Sequence, residues 1–127
     1  MAESADAAAR LRVAKERLDR LGWYPRPVDL RGVRLMSAPA AFRLPRLRRF
    51  DGFATWRLIL VRSPLNEVSD ELITHELCHI WQMQHAPVRM PLSYLVRPYA
   101  QNPYERQARA AAAFTRGPAA PGAPSAG

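Results

Sequence analysis

The chain has 127 residues, a formal net charge of +8 and one cysteine. That length supports one compact domain with a modest core and leaves no room for a second. The lone Cys78 excludes an internal disulfide and a cysteine-rich structural zinc site, and no stretch approaches the roughly 20 apolar residues of a membrane span.

The first ten residues carry Glu3 and Asp6 and lack an apolar run of signal-peptide length, which predicts a soluble, cytoplasmic protein with no membrane partner. Residues 4–21 read as a surface helix, with Ala8, Leu11, Ala14, Leu18 and Leu21 at three- and four-residue spacings and Gly22 as its stop. Its apolar side is expected to pack across a sheet. Pro25, Pro27, Pro39 and Pro45 break up the next segment and leave short strands near residues 32–36 and 47–53. The strongest strand is 56–61, rich in β-branched and aromatic residues and bounded by Ser63-Pro64. A strand edge just ahead of the following helix is suited to holding an extended peptide by main-chain bonds.

Charge is unevenly spread. Residues 1–62 carry 14 Lys or Arg against 6 Asp or Glu, whereas residues 63–127 carry 5 against 5, and the excess is densest at Arg43, Arg46, Arg48 and Arg49. A basic surface attracts nucleic acid, acidic proteins or anionic lipid. The aromatic interleaving of a base-stacking platform is sparse, so nucleic-acid association through these four arginines is the alternative rather than the leading reading.

A second helix is expected over residues 66–84, opened by Ser63-Pro64 or Asn66-Glu67 and stopped at Ala86-Pro87. It carries His75-Glu76-Leu77-Cys78-His79, an H-E-x-x-H motif. Two imidazoles four residues apart lie about 40° apart around a helix, with the intervening glutamate in reach of whatever they hold. Val68 and Leu72 share their side, while Ile73, Leu77 and Ile80, flanked by Trp81, form the aliphatic side. The histidines therefore stand off the core-facing stripe. Cys78 reads as a small buried residue.

Residues 87–101 form a proline-punctuated short helix or ordered loop with Tyr94 and Tyr99, which either closes over a site or covers the core. A third helix starts at Asn102-Pro103 and runs to about Phe114. One domain over residues 1–116 is followed by a disordered Pro, Gly, Ala and Ser tail at 117–127.

A hydrolytic zinc site needs three protein ligands and one open position, so a third His, Asp or Glu must join His75 and His79. His85 follows His79 at the metzincin spacing, but Gln82 stands where that signature has a turning glycine. On a continuous helix His85 points roughly 100° away from the other two. Glu105 is the better placed. Its competing use is as the third helical residue of a capping box with Asn102. Ala108, Ala111 and Ala112 give its helix the small-residue face that lets a short carboxylate approach a neighbouring helix.

His75-Glu76-x-x-His79-x-x-Gln82, followed by Asn102-Pro103-x-Glu105-x-x-Ala108, resembles the gluzincin branch of zinc metallopeptidases, in particular small bacterial gluzincin-like proteins with H-E-L-x-H-x-x-Q and N-P-x-E-x-x-A. The resemblance covers about residues 56–114. It implies a zincin-like metallopeptidase fold and, joined to the elements read above, the expectation is an α+β domain with an N-terminal helix, a short mainly antiparallel sheet, an H-E-x-x-H helix and a glutamate-bearing helix. It also implies a zinc-dependent hydrolase of peptide or protein substrates, with His75, His79 and Glu105 on Zn2+ and Glu76 as general base. Tyr94, Tyr99, Tyr104 and His85 are the hydroxyl and imidazole groups available to stabilise a transition state. The alternative is a non-proteolytic zinc-binding regulatory or nucleic-acid-associated module using Arg43 to Arg49.

Overall fold

The computed structural model describes residues 2–115 as four helices and a three-stranded sheet. In chain order these are α1 (Ala2–Asp19), β1 (Arg34–Ser37), β2 (Gly52–Ala54), β3 (Leu58–Val61), α2 (Asp70–His85), α3 (Arg89–Val96) and α4 (Pro103–Phe114). The expected tail at 117–127 lies outside the described residues, as does residue 116. The architecture is α+β. Its sheet is mixed rather than mainly antiparallel: the order is β1-β3-β2, with β1 parallel and β2 antiparallel to the central β3. No helix among the described residues is long and apolar enough to cross a membrane.

α1 buries Ala7, Leu11, Ala14 and Leu18 against α2 and β1. The stripe passes through Ala7 rather than the expected Ala8, because that register keeps a four-three-four spacing on one narrow face. The helix ends at Asp19, whose carboxylate accepts from Lys15 Nζ at 2.6 Å and from the Val28 N–H at 2.8 Å. Gly22 then takes a φ of 61°, the left-handed conformation that reverses the chain.

β3 carries the sheet's share of the core through Ile59 and Val61, both fully buried, each burial contributing roughly 1.5–3 kcal/mol. The strand is shorter than expected at its start because Trp56 and Arg57 form a two-residue hairpin turn. Its closing bonds are Thr55 N–H to the Leu58 carbonyl at 2.8 Å and Leu58 N–H to Thr55 Oγ1 at 3.1 Å. The expected strand at 47–53 contracts to Gly52–Ala54. Arg62, just beyond β3, gathers the carbonyls of Leu47, Arg48 and Phe50 and holds that stretch in turns.

Both edges of β3 are paired, so the edge facing the groove beside α2 belongs to β2. The Arg62 N–H donates to the Asp51 carbonyl at 2.9 Å and Thr55 bonds to Leu58, so residues 51 and 55 direct their peptide groups toward β3. Antiparallel alternation then turns the N–H and C=O of Gly52 and Ala54 outward.

α2 begins at Ser69, not at the expected Ser63 or Asn66. The Ser69 hydroxyl accepts from the Leu72 N–H at 3.1 Å, and Asp70 and Glu71 complement the helix dipole. Residues Leu65–Glu67 form a separate 3-10 turn, which Arg10 of α1 ties down through the Leu65 and Val68 carbonyls and Asp70. Ile73, Leu77 and Ile80 are fully buried, as the sequence pattern requires. Of α3 only Met90 is buried, so this helix borders the groove more than it fills the core.

Candidate metal centre and its cleft

α4 packs on α2 with Ala108 and Ala111 fully buried between them. The methyl side chains let the two backbones approach, and this brings Glu105, in the first turn of α4, to the histidines of α2. Its carboxylate lies across both imidazoles, with Oε1 at 2.8 Å from His75 Nε2 and Oε2 at 2.9 Å from His79 Nε2. The ligand atoms of all three residues lie within 4.8 Å of one another, and the group could hold a metal ion. Two imidazoles and one carboxylate converging on one point fit a divalent transition metal with an open coordination position.

The capping role that competes for Glu105 is taken by Asn102 alone. Its Oδ1 accepts from the Tyr104 N–H at 2.8 Å and the Glu105 N–H at 3.4 Å, while its own N–H donates to the Tyr99 carbonyl at 3.2 Å. The Glu105 side chain is thereby released from capping. Besides the histidines it receives the Tyr99 hydroxyl at 2.8 Å, the Tyr94 hydroxyl at 3.3 Å and Arg109 Nε at 3.4 Å. Burial works against its ionisation, but the hydrogen bonds from His75 and His79 outweigh it and hold the carboxyl below the usual carboxylate range. For His79 burial disfavours the charged form, yet the hydrogen bond to Glu105 prevails and raises the imidazole above its ordinary value.

Gln82, fully buried, fixes the ring of His79. Its Nε2 donates to the Tyr104 carbonyl at 2.9 Å and to Gln107 Oε1 at 2.8 Å. With the amide nitrogen committed to two acceptors, Oε1 must face His79 Nδ1, 2.9 Å away, and that nitrogen must be the donor. The proton on Nδ1 leaves the Nε2 lone pair for a metal. Tyr24 completes the relay by donating to Gln107 Oε1 at 2.6 Å, tying the centre to the segment after α1.

Glu76 is 5% exposed and makes no hydrogen bond or ion pair among the described residues. Burial raises its carboxyl above the ordinary value, with His79 and His75 opposing the shift. It lies flat on the backbone of β2: a Cβ at Gly52 would sit 3.0 Å from Glu76 Oε2. A cavity of about 920 Å³ on the His75 side and one of about 550 Å³ on the His79 side share Glu76, Gly52, Phe50 and Tyr99, so they form one groove along β2.

Four other sequence candidates fall into two groups. Tyr94 and Tyr99 are at the centre, whereas His85 and Tyr104 are not. His85 Nδ1 contacts the Trp81 carbonyl at 3.0 Å, its Nε2 accepts from the Arg26 N–H at 3.2 Å, and its ring stacks on Tyr24. The uninterrupted helix through Gln82 carries it to the far side. Tyr104 packs against the core. Of the arginines, Arg46 and Arg49 line the groove, while Arg43 and Arg48 do not.

No family model, curated protein or solved structure matches this chain. The functional reading therefore rests on the side chains themselves. Gly52 and Gln82 are the site residues that sequence reasoning gave no role. The position of Gln82 three residues after His79, one turn along the same face, is the signal for it; nothing local marks Gly52.

Proposed function

We propose that the protein is a zinc-dependent peptidase of gluzincin type. The observation that carries this reading is the Glu105 carboxylate spanning His75 and His79, beside an unpartnered Glu76 that opens onto a free strand edge. Zinc in a two-histidine, one-carboxylate set supplies Lewis acidity toward a carbonyl and acidifies water to a pKa of about 7. Glu76 accepts the proton of the attacking water and returns it to the leaving amine.

Gly52 and Ala54 offer outward N–H and C=O groups along which an extended substrate can lie. Tyr94 and Tyr99 become donors for the developing oxyanion when their hydroxyls turn from Glu105, to which both donate here. Burial first, and then Glu105, by its charge for Tyr94 and by its hydrogen bond for Tyr99, pushes both phenols above their ordinary value. The test compares zinc-loaded wild type with Glu76→Gln on unfolded casein and a fluorogenic peptide pool. The variant should keep its zinc and lose at least about 100-fold in rate. Cleavage at the wild-type rate by Glu76→Gln, or none by the zinc-loaded wild type, would overturn the proposal.

A further inference from the structure

The two halves of the groove differ in chemistry. On the His75 side, Asp51, Glu71 and Glu105 stand beside Arg49 and Arg109, so charges of both signs are interspersed. On the His79 side, Phe53, Trp56, Met83, Met90 and Tyr94 make an apolar floor, and Arg46, Arg49 and Arg97 line the same cavity. Among the described residues Glu76 is the only carboxylate lining it. None of those three arginines forms an ion pair among the described residues. Phe53 and Trp56 are 39% and 51% exposed, which leaves apolar surface open at the cavity.

Unpaired cations around an apolar cavity select for a ligand that supplies both complements. We infer that the groove recognises an extended acidic peptide segment, with a bulky apolar side chain seated in the 550 Å³ cavity and flanking Asp or Glu residues paired with Arg46, Arg49 and Arg97. This rests on the peptidase reading of the same groove and specifies its substrate class. The cavity volume is ample for a Phe or Leu side chain, and the methionines give a floor that adapts to either. A second copy of this chain is a poor occupant, because each carries +8 and would be repelled. A nucleic-acid backbone would match the arginines but leave the apolar floor unfilled.

The experiment measures binding rather than cleavage, so it stands apart from the test of catalysis. Zinc-loaded Glu76→Gln is titrated into three labelled probes by fluorescence anisotropy: an acidic peptide with a central Phe, the same peptide with Lys for each acid, and a DNA oligonucleotide. The acidic probe should bind at least about tenfold tighter than the basic one and weaken as salt is raised. Arg46→Glu/Arg97→Glu should reverse the order of the two peptides. A benzophenone in place of the Phe should crosslink to Met83 or Met90, a readout that a diffuse surface attraction would not give. Equal affinity for both peptides, a preference unchanged in the double variant, or DNA binding without acidic-peptide binding would overturn the inference. If acidic peptides bind but wild type cleaves nothing, the recognition stands and the peptidase reading falls.

Discussion

Gln82→Leu keeps the volume of the side chain and removes all three of its hydrogen bonds. It leaves the buried His79 Nδ1–H without a partner, while the Tyr104 carbonyl keeps its place in the α4 hydrogen-bond ladder and Gln107 retains the hydroxyl of Tyr24. At about 1–3 kcal/mol for that orphaned group, the loss of stability is roughly 1 to 3 kcal/mol, or roughly 4 to 12 °C in Tm for a domain of this size. The metal effect is separate. Without the acceptor at Nδ1 the imidazole is free to tautomerise and rotate, and zinc affinity should fall about 10- to 100-fold. Gln82→Glu dissects the two, since it keeps an acceptor for His79 but places an oxygen against the Tyr104 carbonyl and Gln107. That variant should be destabilised as much or more, yet hold zinc at least as tightly as wild type. The assays are thermal unfolding by circular dichroism and competition with a chromophoric chelator at a temperature where each variant is folded. A folded Gln82→Leu protein that binds zinc within about twofold of wild type would refute the reasoning.

Three further outcomes follow from other contacts. Gly52→Ala places a methyl 3.0 Å from Glu76 Oε2, so peptide cleavage should fall roughly 10- to 100-fold with zinc content unchanged; unaltered cleavage would show that Glu76 does not need its place against β2. Asn102→Ala removes the cap of α4 and should cost about 1–2 kcal/mol in urea unfolding, with Asn102→Ser recovering part of it; equal stability of all three would contradict the cap. Burial pushes the Cys78 thiol up to about 12. A group whose pKa is higher folded than unfolded contributes stability fully present below its unfolded value, ~8.5, and lost as pH rises toward the folded one. Wild type should therefore lose about 1.4 kcal/mol per pH unit across that window relative to Cys78→Ala, and parallel stability curves for the two proteins would contradict it.

The helical half of the fold was legible because its signals are local. The spacings of Ile73, Leu77 and Ile80 and the Asn102-Pro103 start specify α2 and α4, and the small residues on α4 indicate that the two can meet. The meeting of His75, His79 and Glu105 was legible from the same helical spacings. The sheet was not. The shortening of the 47–53 strand comes from Arg62 reaching back to three carbonyls, and the parallel pairing of β1 with β3 joins segments more than twenty residues apart. Neither leaves a mark in the hydrophobic pattern. Gly52 illustrates the same limit, since it matters only because Glu76 comes to rest on it from another element. His85 shows the converse, a residue with suitable chemistry at a known spacing that an unbroken helix turns toward Tyr24.

The most direct measurement is the zinc content of the purified protein and of Glu105→Ala after exhaustive dialysis against metal-free buffer. One zinc per chain in wild type, absent from Glu105→Ala but retained in His85→Ala, is the expected result. Zinc retained by Glu105→Ala, or lost from His85→Ala, would contradict a centre built from His75, His79 and Glu105.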